Sequence, residues 1–265
     1  YSSGRDNKLQ RGYQLVADAR RGLGEGEFYL VYQPRFDAPT LLPVSAEALI
    51  RWKHPQFGEL SPGEFIPLLE RTALMREVSE WVVDNALSQL VAWRDAGVPL
   101  GLSINLSVRD IAHAGAADRL VQKIKSKGLL CEDVEVEITE SQWLRADSAS
   151  GQQLIRMAAA GLRLAVDDFG SGYSNFGYLT ELPMNGLKLD KSLVDHLTTD
   201  DRSLIKARAI IGLAHALGYS TVAEGAESMD QVNVLQQLGC GQIQGFALAK
   251  PMSARELAAL LIPTT

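Results

Sequence analysis

The sequence predicts an α/β protein, a single-domain TIM-like (β/α)8 barrel with a short N-terminal helix. From residue 28 onward, roughly eight short apolar or β-branched segments alternate with amphipathic helical segments. With 265 residues, 46% of them hydrophobic, the chain has the usual length and apolar content of one such barrel. An open doubly wound sheet is the less favoured alternative, because no Gly-x-Gly-x-x-Gly motif follows the first strand.

The N-terminal segment from Lys8 to Leu23 is charged and amphipathic, which predicts a helix that three nearby glycines end. We expect residues 1–25 to form this helix and a linker, and residues 26–262 to form the barrel. Strands are predicted at residues 28–32, 44–52, 101–106, 134–138, 163–167, 186–189, 220–223 and 241–244.

Helices are predicted between these strands. Ser61 is a helix cap, Pro62 occupies the first helical position and Glu64 completes a capping box. The next helix is predicted at residues 77–96, and Gly97 and Pro99 end it. The later helices are predicted at residues 116–127, 148–160, 175–182, 204–217, 229–238 and 254–261.

Composition excludes several classes of protein. The formal net charge of −6, without a long basic run, argues against DNA binding but leaves room for a small phosphorylated ligand. Cys131 and Cys240 lie far apart without metal-type spacing, which fits a reducing compartment. No apolar run reaches membrane-spanning length. Because the chain begins without Met, we expect a piece of a longer protein, either cytoplasmic or the cytoplasmic domain of a protein attached to a membrane.

The stretch from Leu164 to Tyr173 is central to the functional prediction. An apolar run ends in Asp167 and Asp168, and a turn containing Gly170 follows. Paired carboxylates persist most easily beside a cation, and hard divalent ions prefer oxygen ligands. The alternative is a solvated acid pair at the start of a loop. A kinase magnesium motif is rejected, because neither a glycine-rich phosphate loop nor a His-Arg-Asp segment is present.

Each predicted strand carries a polar residue on it or at its end. In a parallel barrel the carboxyl ends of the strands face one mouth, so these side chains should meet there. A carboxylate, amide or ammonium from every strand is hard to explain as structure alone, because lone charges are rarely buried. The residues are Gln33, Glu47, Asn105, Glu137, Asp167, Asp168, Lys188, Glu224 and Gln244.

The donor types in this set favour Mg²⁺ or Mn²⁺ over zinc. Four oxygen ligands are available without sulfur or imidazole, from Glu47, Asn105, Glu137 and Asp167. Asp167 could also bridge to a second ion that Asp168 holds. Lys188 could orient or deprotonate a water molecule, hold a phosphate, or be a plain salt-bridge partner; nearby acids would raise its pKa, which favours orientation.

Arg51 lies four residues beyond Glu47, close enough to reach the same rim and contact a phosphate in a bidentate manner. The alternative is a surface charge beside Trp52. His54 precedes a proline in a predicted loop, and we interpret it as structural.

These residues also form a recognisable signature. Glu47-Ala48-Leu49-Ile50-Arg51-Trp52 resembles the motif that names the EAL-domain family of cyclic-di-GMP phosphodiesterases, and the resemblance runs from about Phe28 to the C-terminus. Further matching segments are Tyr32-Gln33-Pro34, Ser61 to Pro67, Asn105-Leu106-Ser107, Glu137 to Ser141, Asp167 to Ser174, Leu187 to Asp190, Ala223 to Glu227 and Gln244-Gly245-Phe246.

The resemblance implies hydrolysis of cyclic-di-GMP, a bacterial second messenger, to linear 5′-pGpG, with two Mg²⁺ or Mn²⁺ ions. Inhibition by Ca²⁺ is expected because that ion is larger and does not suit a tight octahedral site. The implied first-ion ligands are Glu47, Asn105, Glu137 and Asp167, with Asp167 and Asp168 on the second ion and Glu224 completing the shell. The implied catalytic residues are Lys188, which acts on the attacking water, Glu224 and Glu47.

The same resemblance implies substrate contacts and partners. Arg51 and the Leu49 backbone would hold a phosphate, and Asp190 belongs to the substrate-binding set. Gln33 and Gln244 would line the guanine-proximal rim. Glu140 would anchor the loop after Asp168, and Glu227 would support the site from behind. A homodimer through the helical face near the Asp167-Asp168 loop is implied, and an additional sensory or regulatory domain is expected.

Three segments depart from the family pattern. Ser171 stands where Thr is usual, and Asn175-Phe176-Gly177 replaces a Ser-Ser-Leu-Ser type run, which puts regulation in question. The segment from Gln244 to Pro251 lacks the usual Phe and Ser, which affects base contacts. Alternatives to the enzyme are a catalytically silent cyclic-di-GMP receptor and, less favoured, an unrelated magnesium barrel enzyme acting on an acidic substrate.

Overall fold

The computed structural model describes residues 3–139, 146–170 and 177–261. Its strands are β1 (Phe28–Asp37), β2 (Pro43–His54), β3 (Gly58–Leu60), β4 (Gly101–Asn105), β5 (Val134–Thr139), β6 (Arg163–Phe169), β7 (Gly186–Leu189), β8 (Ser220–Ala223) and β9 (Gln242–Ile243). Its helices are α1 (Ser3–Glu25), α2 (Pro62–Leu69), α3 (Leu74–Asp95), α4 (Val108–Ile111), α5 (Ala116–Ser126), α6 (Ala149–Ala159), α7 (Gly177–Glu181), α8 (Lys191–Val194), α9 (Asp201–Leu217), α10 (Met229–Gln237) and α11 (Ala254–Leu261).

Eight strands close into a barrel, which confirms the predicted TIM-like fold. Strand β2 and strands β4 to β9 pair in sequence and run parallel, while β3 is a short hairpin extension of β2. Strand β1 closes the barrel by pairing antiparallel to both β2 and β9. The alternation of strands and helices suggested a wholly parallel barrel, but the pairing of β1 is antiparallel. The connection from β1 to β2 is too short for the crossover that a parallel pair requires.

Strand β1 also extends beyond its predicted end, because Pro34 does not terminate it. The backbone of Tyr32 exchanges hydrogen bonds with Met252, on the side of β1 that faces away from β2. Pro34, two residues later, faces the same side, so its missing N–H leaves the β1–β2 ladder intact. Strand β9 pairs only at Phe36 and beyond.

Helix α1 packs against the outside of the barrel near the β2–β3 hairpin. Leu15 and Ala19 are buried, and the buried ring of His54 lies 3.2 Å from the Asp18 carboxylate. The Nδ1 atom of His54 accepts the Gln56 backbone N–H at 3.1 Å. These contacts give His54 the structural role that the sequence predicts.

The apolar core lies between the barrel and its helices. Trp52 on β2 stacks on Phe28 with ring centroids 4.5 Å apart, and it packs edge-on against Phe65 of α2. Helix α2 begins as predicted, with the Ser61 N–H donating to the Glu64 carboxylate at 3.2 Å. Because strand residues alternate between faces, the other side of β2 points into the barrel. The charged residues collect there.

No helix in the described ranges is both long enough and apolar enough to cross a membrane.

Candidate active site

The Lys188 ammonium lies at the centre of a buried acidic cluster inside the barrel mouth. Its Nζ atom is 2.5 Å from Glu137 Oε2, 2.5 Å from Glu224 Oε1 and 2.9 Å from Asp167 Oδ1. A fourth carboxylate, that of Glu47, lies 3.8 Å away. Lys188 is only 1% exposed. Side chains that are far apart in sequence therefore meet at one point, as the alternation of strands and helices predicts.

Glu47 is held on both sides by amide side chains. Asn105 donates to its Oε1 at 2.7 Å, and Gln244 donates to its Oε2 at 2.8 Å. The same Gln244 amide lies 3.1 Å from Gln33 Oε1, and Gln33 in turn donates to the Ala249 carbonyl at 3.2 Å. The Gln33 and Gln244 side chains, predicted at a guanine-proximal rim, are thus buried at the level of Glu47.

A bulge explains how two adjacent aspartates reach the same mouth. Strand β6 pairs with β7 at Val166 and again at Phe169, so that Asp167 and Asp168 both lie opposite Lys188. Asp168 has a left-handed backbone with φ of +56°. Its N–H donates to Asp167 Oδ1 at 2.9 Å. On a regular strand these two side chains would point to opposite faces.

The carboxylates at the mouth fit a divalent cation. Oxygen atoms of Asp167, Asp168 and Glu224 lie within 4.8 Å of one another, close to twice a metal–oxygen distance of about 2.1 Å. The donors at this site are oxygens, which suit Mg²⁺ or Mn²⁺.

The electrostatics of the cluster follow from burial and opposing charge. Burial, reinforced by Asp167 and Glu47, raises the pKa of Glu224 to about 7. Burial would also raise the pKa of Glu47, but Lys188 and Arg35 outweigh it and hold this pKa below its ordinary value. For Lys188, burial lowers the pKa but Glu224, Glu47 and Asp167 raise it more, so the ammonium stays charged at neutral pH.

The pKa of Asp168 is also raised, first by burial and then by Asp167 and Asp190. Asp190 itself caps α8, where its Oδ1 accepts the Ser192 N–H at 3.0 Å. The Asp190 carboxylate therefore caps a helix and also repels the negative charge on Asp168.

Arg35 is a site residue that the sequence reasoning missed. It is 1% exposed and lies beneath the carboxylates, where it donates to Glu135, Glu137 and Gln244. Arg35 lies two residues after Gln33 and therefore on the same face of β1, but this signal is usable only once the strand is known to continue past Pro34.

Two other predicted site residues, Arg51 and Glu227, make contacts outside the carboxylate cluster. Arg51 is half-buried, donates to the Ile50 carbonyl at 2.8 Å, and has a pKa that burial lowers. Glu227 is exposed and pairs with Lys191 at 2.7 Å. Glu140 and the departures at residues 171–176 lie outside the described residues.

A cleft of about 270 Å³ opens above the carboxylates, close to the lower end of the size range of small-ligand sites. The exposed ring of Phe246 forms part of its wall, with the Lys250 ammonium 5.6 Å from the ring centroid. Its other lining residues include Gln33, Glu47, Leu49, Glu224, Glu227 and Gln244.

Comparison with known proteins gives one consistent family. The family model of the EAL domain matches residues 16–251. The chain is 42% identical over 258 residues to cyclic di-GMP phosphodiesterase PA2567 of Pseudomonas aeruginosa, covering 97% of this chain and 44% of that protein. It is 37% identical over 260 residues to the bifunctional diguanylate cyclase/cyclic di-GMP phosphodiesterase MucR of the same organism, covering 98% and 38%. The chain thus spans less than half the length of both relatives.

Solved structures agree with these matches. The PaMucR phosphodiesterase in complex with cyclic-di-GMP superposes with a TM-score of 0.87 at 38% identity, covering 92% of this chain and 99% of that one. An EAL-domain protein from Listeria monocytogenes gives 0.80 at 28% identity, covering 92% and 96%. On the family match, the sequence identities and the barrel itself, this chain belongs to the EAL-domain family.

Proposed function

We propose that this domain hydrolyses cyclic-di-GMP to linear 5′-pGpG and needs two Mg²⁺ or Mn²⁺ ions to do so. The observation that carries the proposal is the convergence of Asp167, Asp168 and Glu224 around the Lys188 ammonium at the barrel mouth. It is supported by relatives that are named cyclic di-GMP phosphodiesterases.

The carboxylates divide into two sets of ligands in this proposal. Glu224 would complete the ligand shell, and Asp167 would contribute to both ions. When bound, the two ions would lower the pKa of a water molecule and stabilise negative charge on the phosphate. Glu47, Asn105, Glu137 and Asp167 would hold the first ion, and Asp167 and Asp168 would hold the second.

Lys188 orients the attacking water in this proposal. An ammonium has three donors and no acceptor, and its raised pKa keeps it protonated at neutral pH, so it cannot accept a proton from that water. Its contacts with Glu137, Asp167 and Glu224 place it beside the ligands of both ions. Glu47 and Glu224 complete the catalytic set.

The cleft above the carboxylates would receive the dinucleotide. Arg51 and the Leu49 backbone hold a phosphate, Gln33 and Gln244 lie toward a guanine, and Asp190 contributes to the substrate-binding set. Glu227 supports the site from behind, and Glu140 anchors the loop after Asp168. The cleft of about 270 Å³, with Leu49 in its wall, supports this placement.

We also propose a cytoplasmic homodimer, formed through the helical face near the Asp167-Asp168 loop and joined to a regulatory domain. The longer relatives support a further domain, since both exceed twice the length matched here. The two cysteines, Cys131 and Cys240, are free and buried, which fits a reducing compartment. The boundary between an N-terminal helix and linker (residues 1–25) and the barrel (residues 26–262) remains a prediction. Helix α1 packs closely on the barrel.

The direct test is incubation with cyclic-di-GMP and Mg²⁺, with chromatography of the products and a metal-free control. We expect pGpG only when metal is present. Nucleotide that binds but stays intact would instead indicate a catalytically silent receptor. A protein that binds no cyclic-di-GMP would contradict both functions.

Calcium is expected to support binding of the dinucleotide without hydrolysis, and to inhibit when added to Mg²⁺. Ca²⁺ accepts the same oxygen ligands but is larger and takes a looser geometry than octahedral Mg²⁺. Parallel binding and product assays in each metal check this. Brisk turnover in Ca²⁺ alone would contradict the proposed metal selectivity.

Metal affinity should depend on pH through Glu224. Since the pKa of this carboxyl is about 7, a proton competes with the metal below that pH. Mn²⁺ affinity is expected to rise by about tenfold per unit between about pH 5.5 and 7 and then level off. Calorimetric titration measures this rise. Glu224→Gln should flatten it, while Glu80→Gln, at an exposed position beside Arg76, should leave it unchanged; an equal slope in both variants would exclude Glu224 as its source.

A further inference from the structure

The Arg35 guanidinium forms the floor of the carboxylate cluster and joins three strands. Its Nη1 donates to Glu135 Oε1 at 2.6 Å, its Nη2 donates to Glu137 Oε1, and its Nε donates to Gln244 Oε1 at 3.1 Å. The Glu47 carboxylate lies 4.0 Å from Nη2. The strands involved are β1 for Arg35, β5 for both glutamates, and the end of β9 for Gln244.

One branch of these contacts orients Glu137 directly. Arg35 takes one carboxylate oxygen, while the other oxygen accepts from Lys188 at 2.5 Å. With both oxygens engaged from different sides, the plane of the Glu137 carboxylate is fixed.

The second branch of the Arg35 contacts leads to Glu47 through Gln244. Because Gln244 Oε1 accepts from Arg35, its Nε2 is turned toward Glu47 Oε2, to which it donates at 2.8 Å.

Glu135 anchors the guanidinium from below. It lies two residues before Glu137 on β5 and therefore on the same face of that strand. It is absent from the proposed metal ligands, so its bond to Nη1 serves Arg35 alone. A planar fork with five N–H donors fixes the directions in which its three partners lie, whereas the donors of a lysine ammonium all leave one freely rotating nitrogen atom.

We propose that Arg35 is a positioning residue that sets the affinity of the site for divalent ions by orienting Glu137 and, through Gln244, Glu47. This inference rests on the metal site of the proposed function. Groups that orient metal ligands typically change metal affinity by about 10- to 100-fold when replaced. If Arg35 only balanced buried negative charge, a lysine at this position would serve equally well.

The test is calorimetric titration of Mn²⁺ into the whole chain and its Arg35→Lys variant, with thermal unfolding to confirm the fold. Arg35→Lys keeps the charge but loses the fork, so Mn²⁺ affinity should fall by about 10- to 100-fold. Glu135→Gln retains the contacts of Arg35 to Glu137 and Gln244 and should bind Mn²⁺ more tightly than Arg35→Lys. The matched control is Arg94→Lys, an exposed arginine whose guanidinium contacts Asp95 and Gly128, with wild-type affinity expected.

A second measurement separates positioning from general damage. Turnover of Arg35→Lys should approach the wild-type kcat as Mn²⁺ is raised, because the catalytic side chains remain in place. If Arg35→Lys fails to fold, the double variant Arg35→Gln/Glu135→Gln, which removes both charges of the lower pair, should show the same loss of affinity.

The outcomes are distinguishable. Wild-type Mn²⁺ affinity in Arg35→Lys, or in the double variant, would overturn the inference while leaving the phosphodiesterase proposal intact. A wild-type protein that binds Mn²⁺ but hydrolyses no cyclic-di-GMP would contradict the proposed activity, and a loss of affinity in Arg35→Lys would still support the inference. A wild-type protein that binds no Mn²⁺ would overturn both.

Discussion

Replacing Asp167 by Asn is expected to lower the rate of cyclic-di-GMP hydrolysis by about 10³-fold or more. In the proposed scheme Asp167 contributes to both ions, and each ion supplies several kcal/mol of charge stabilisation. A loss of about 4 kcal/mol corresponds to about a thousandfold change in rate. Asn keeps the shape of Asp and can still accept the Asp168 N–H that now lies 2.9 Å from Asp167 Oδ1. Rates at saturating Mg²⁺ and Mn²⁺ measure the effect.

Two further variants make this result specific. Asp168→Asn tolerates the left-handed backbone but removes a ligand from one ion only, so its rate should lie between those of wild type and Asp167→Asn. Asp118→Asn, at an exposed position near Arg156, should behave as wild type. A rate near that of wild type in Asp167→Asn would contradict the two-metal scheme.

Replacing Lys188 by Met is expected to damage both catalysis and folding. Loss of one preorganised charged donor typically costs about 10²- to 10³-fold in kcat. The variant also leaves Glu137, Asp167 and Glu224 without the ammonium that contacts them. Breaking a buried ion pair from one side costs about 3–5 kcal/mol, so we expect the free energy of unfolding to fall by about that amount in metal-free buffer.

The pH range of this loss follows from the direction of the pKa shift. Because the folded-state pKa of Lys188 lies above the ordinary value of 10.5, its stabilisation is complete below that pH and disappears only as the pH rises through the folded-state pKa. Lys188 also lowers the pKa of Glu224, which is about 7 in the folded wild type. Without the ammonium this carboxyl titrates at higher pH, so the difference in unfolding free energy between wild type and Lys188→Met should grow as the pH rises above about 7, which urea unfolding at a series of pH values measures.

Added Mg²⁺ should recover part of the stability of Lys188→Met, since a cation again faces the carboxylates, but not its rate. Lys123→Met is the matched control, a partly exposed lysine 2.7 Å from Asp84, and its unfolding free energy should change by less than about 1 kcal/mol. Full activity in Lys188→Met would exclude the proposed role in orienting water.

Much of this site could be predicted from sequence because strand ends in a barrel converge. The positions of Glu47, Asn105, Glu137 and Lys188 follow from that rule alone, and the structure brings them together. Local sequence patterns could not predict which strands pair with each other or in which direction. The antiparallel direction of β1 depends on a connection too short for a crossover.

The bulge at Asp167 and Asp168 was likewise not predictable in detail. An acid pair at the end of an apolar run indicated that both carboxylates serve one mouth, but the register shift against β7 that achieves it depends on pairing with a distant segment. Arg35 was missed for a different reason. A predicted strand that stopped before Pro34 left no strand on which to extend the alternation from Gln33.

The antiparallel first strand has a consequence for how the domain assembles. Closing the barrel pairs Phe36 with Ile243, so its last seam joins residues more than two hundred positions apart. Loop-closure entropy makes contacts of such sequence separation slow to form. Glu47, on the neighbouring strand β2, depends on that seam because its side chain accepts a hydrogen bond from Gln244, just after β9, as well as one from Asn105 at the end of β4. We therefore expect carboxy-terminal truncation before β9 to open the seam and to remove the hydrogen bond from Gln244 to Glu47. The orientation of a residue near the start of the domain thus depends on the last strand being present.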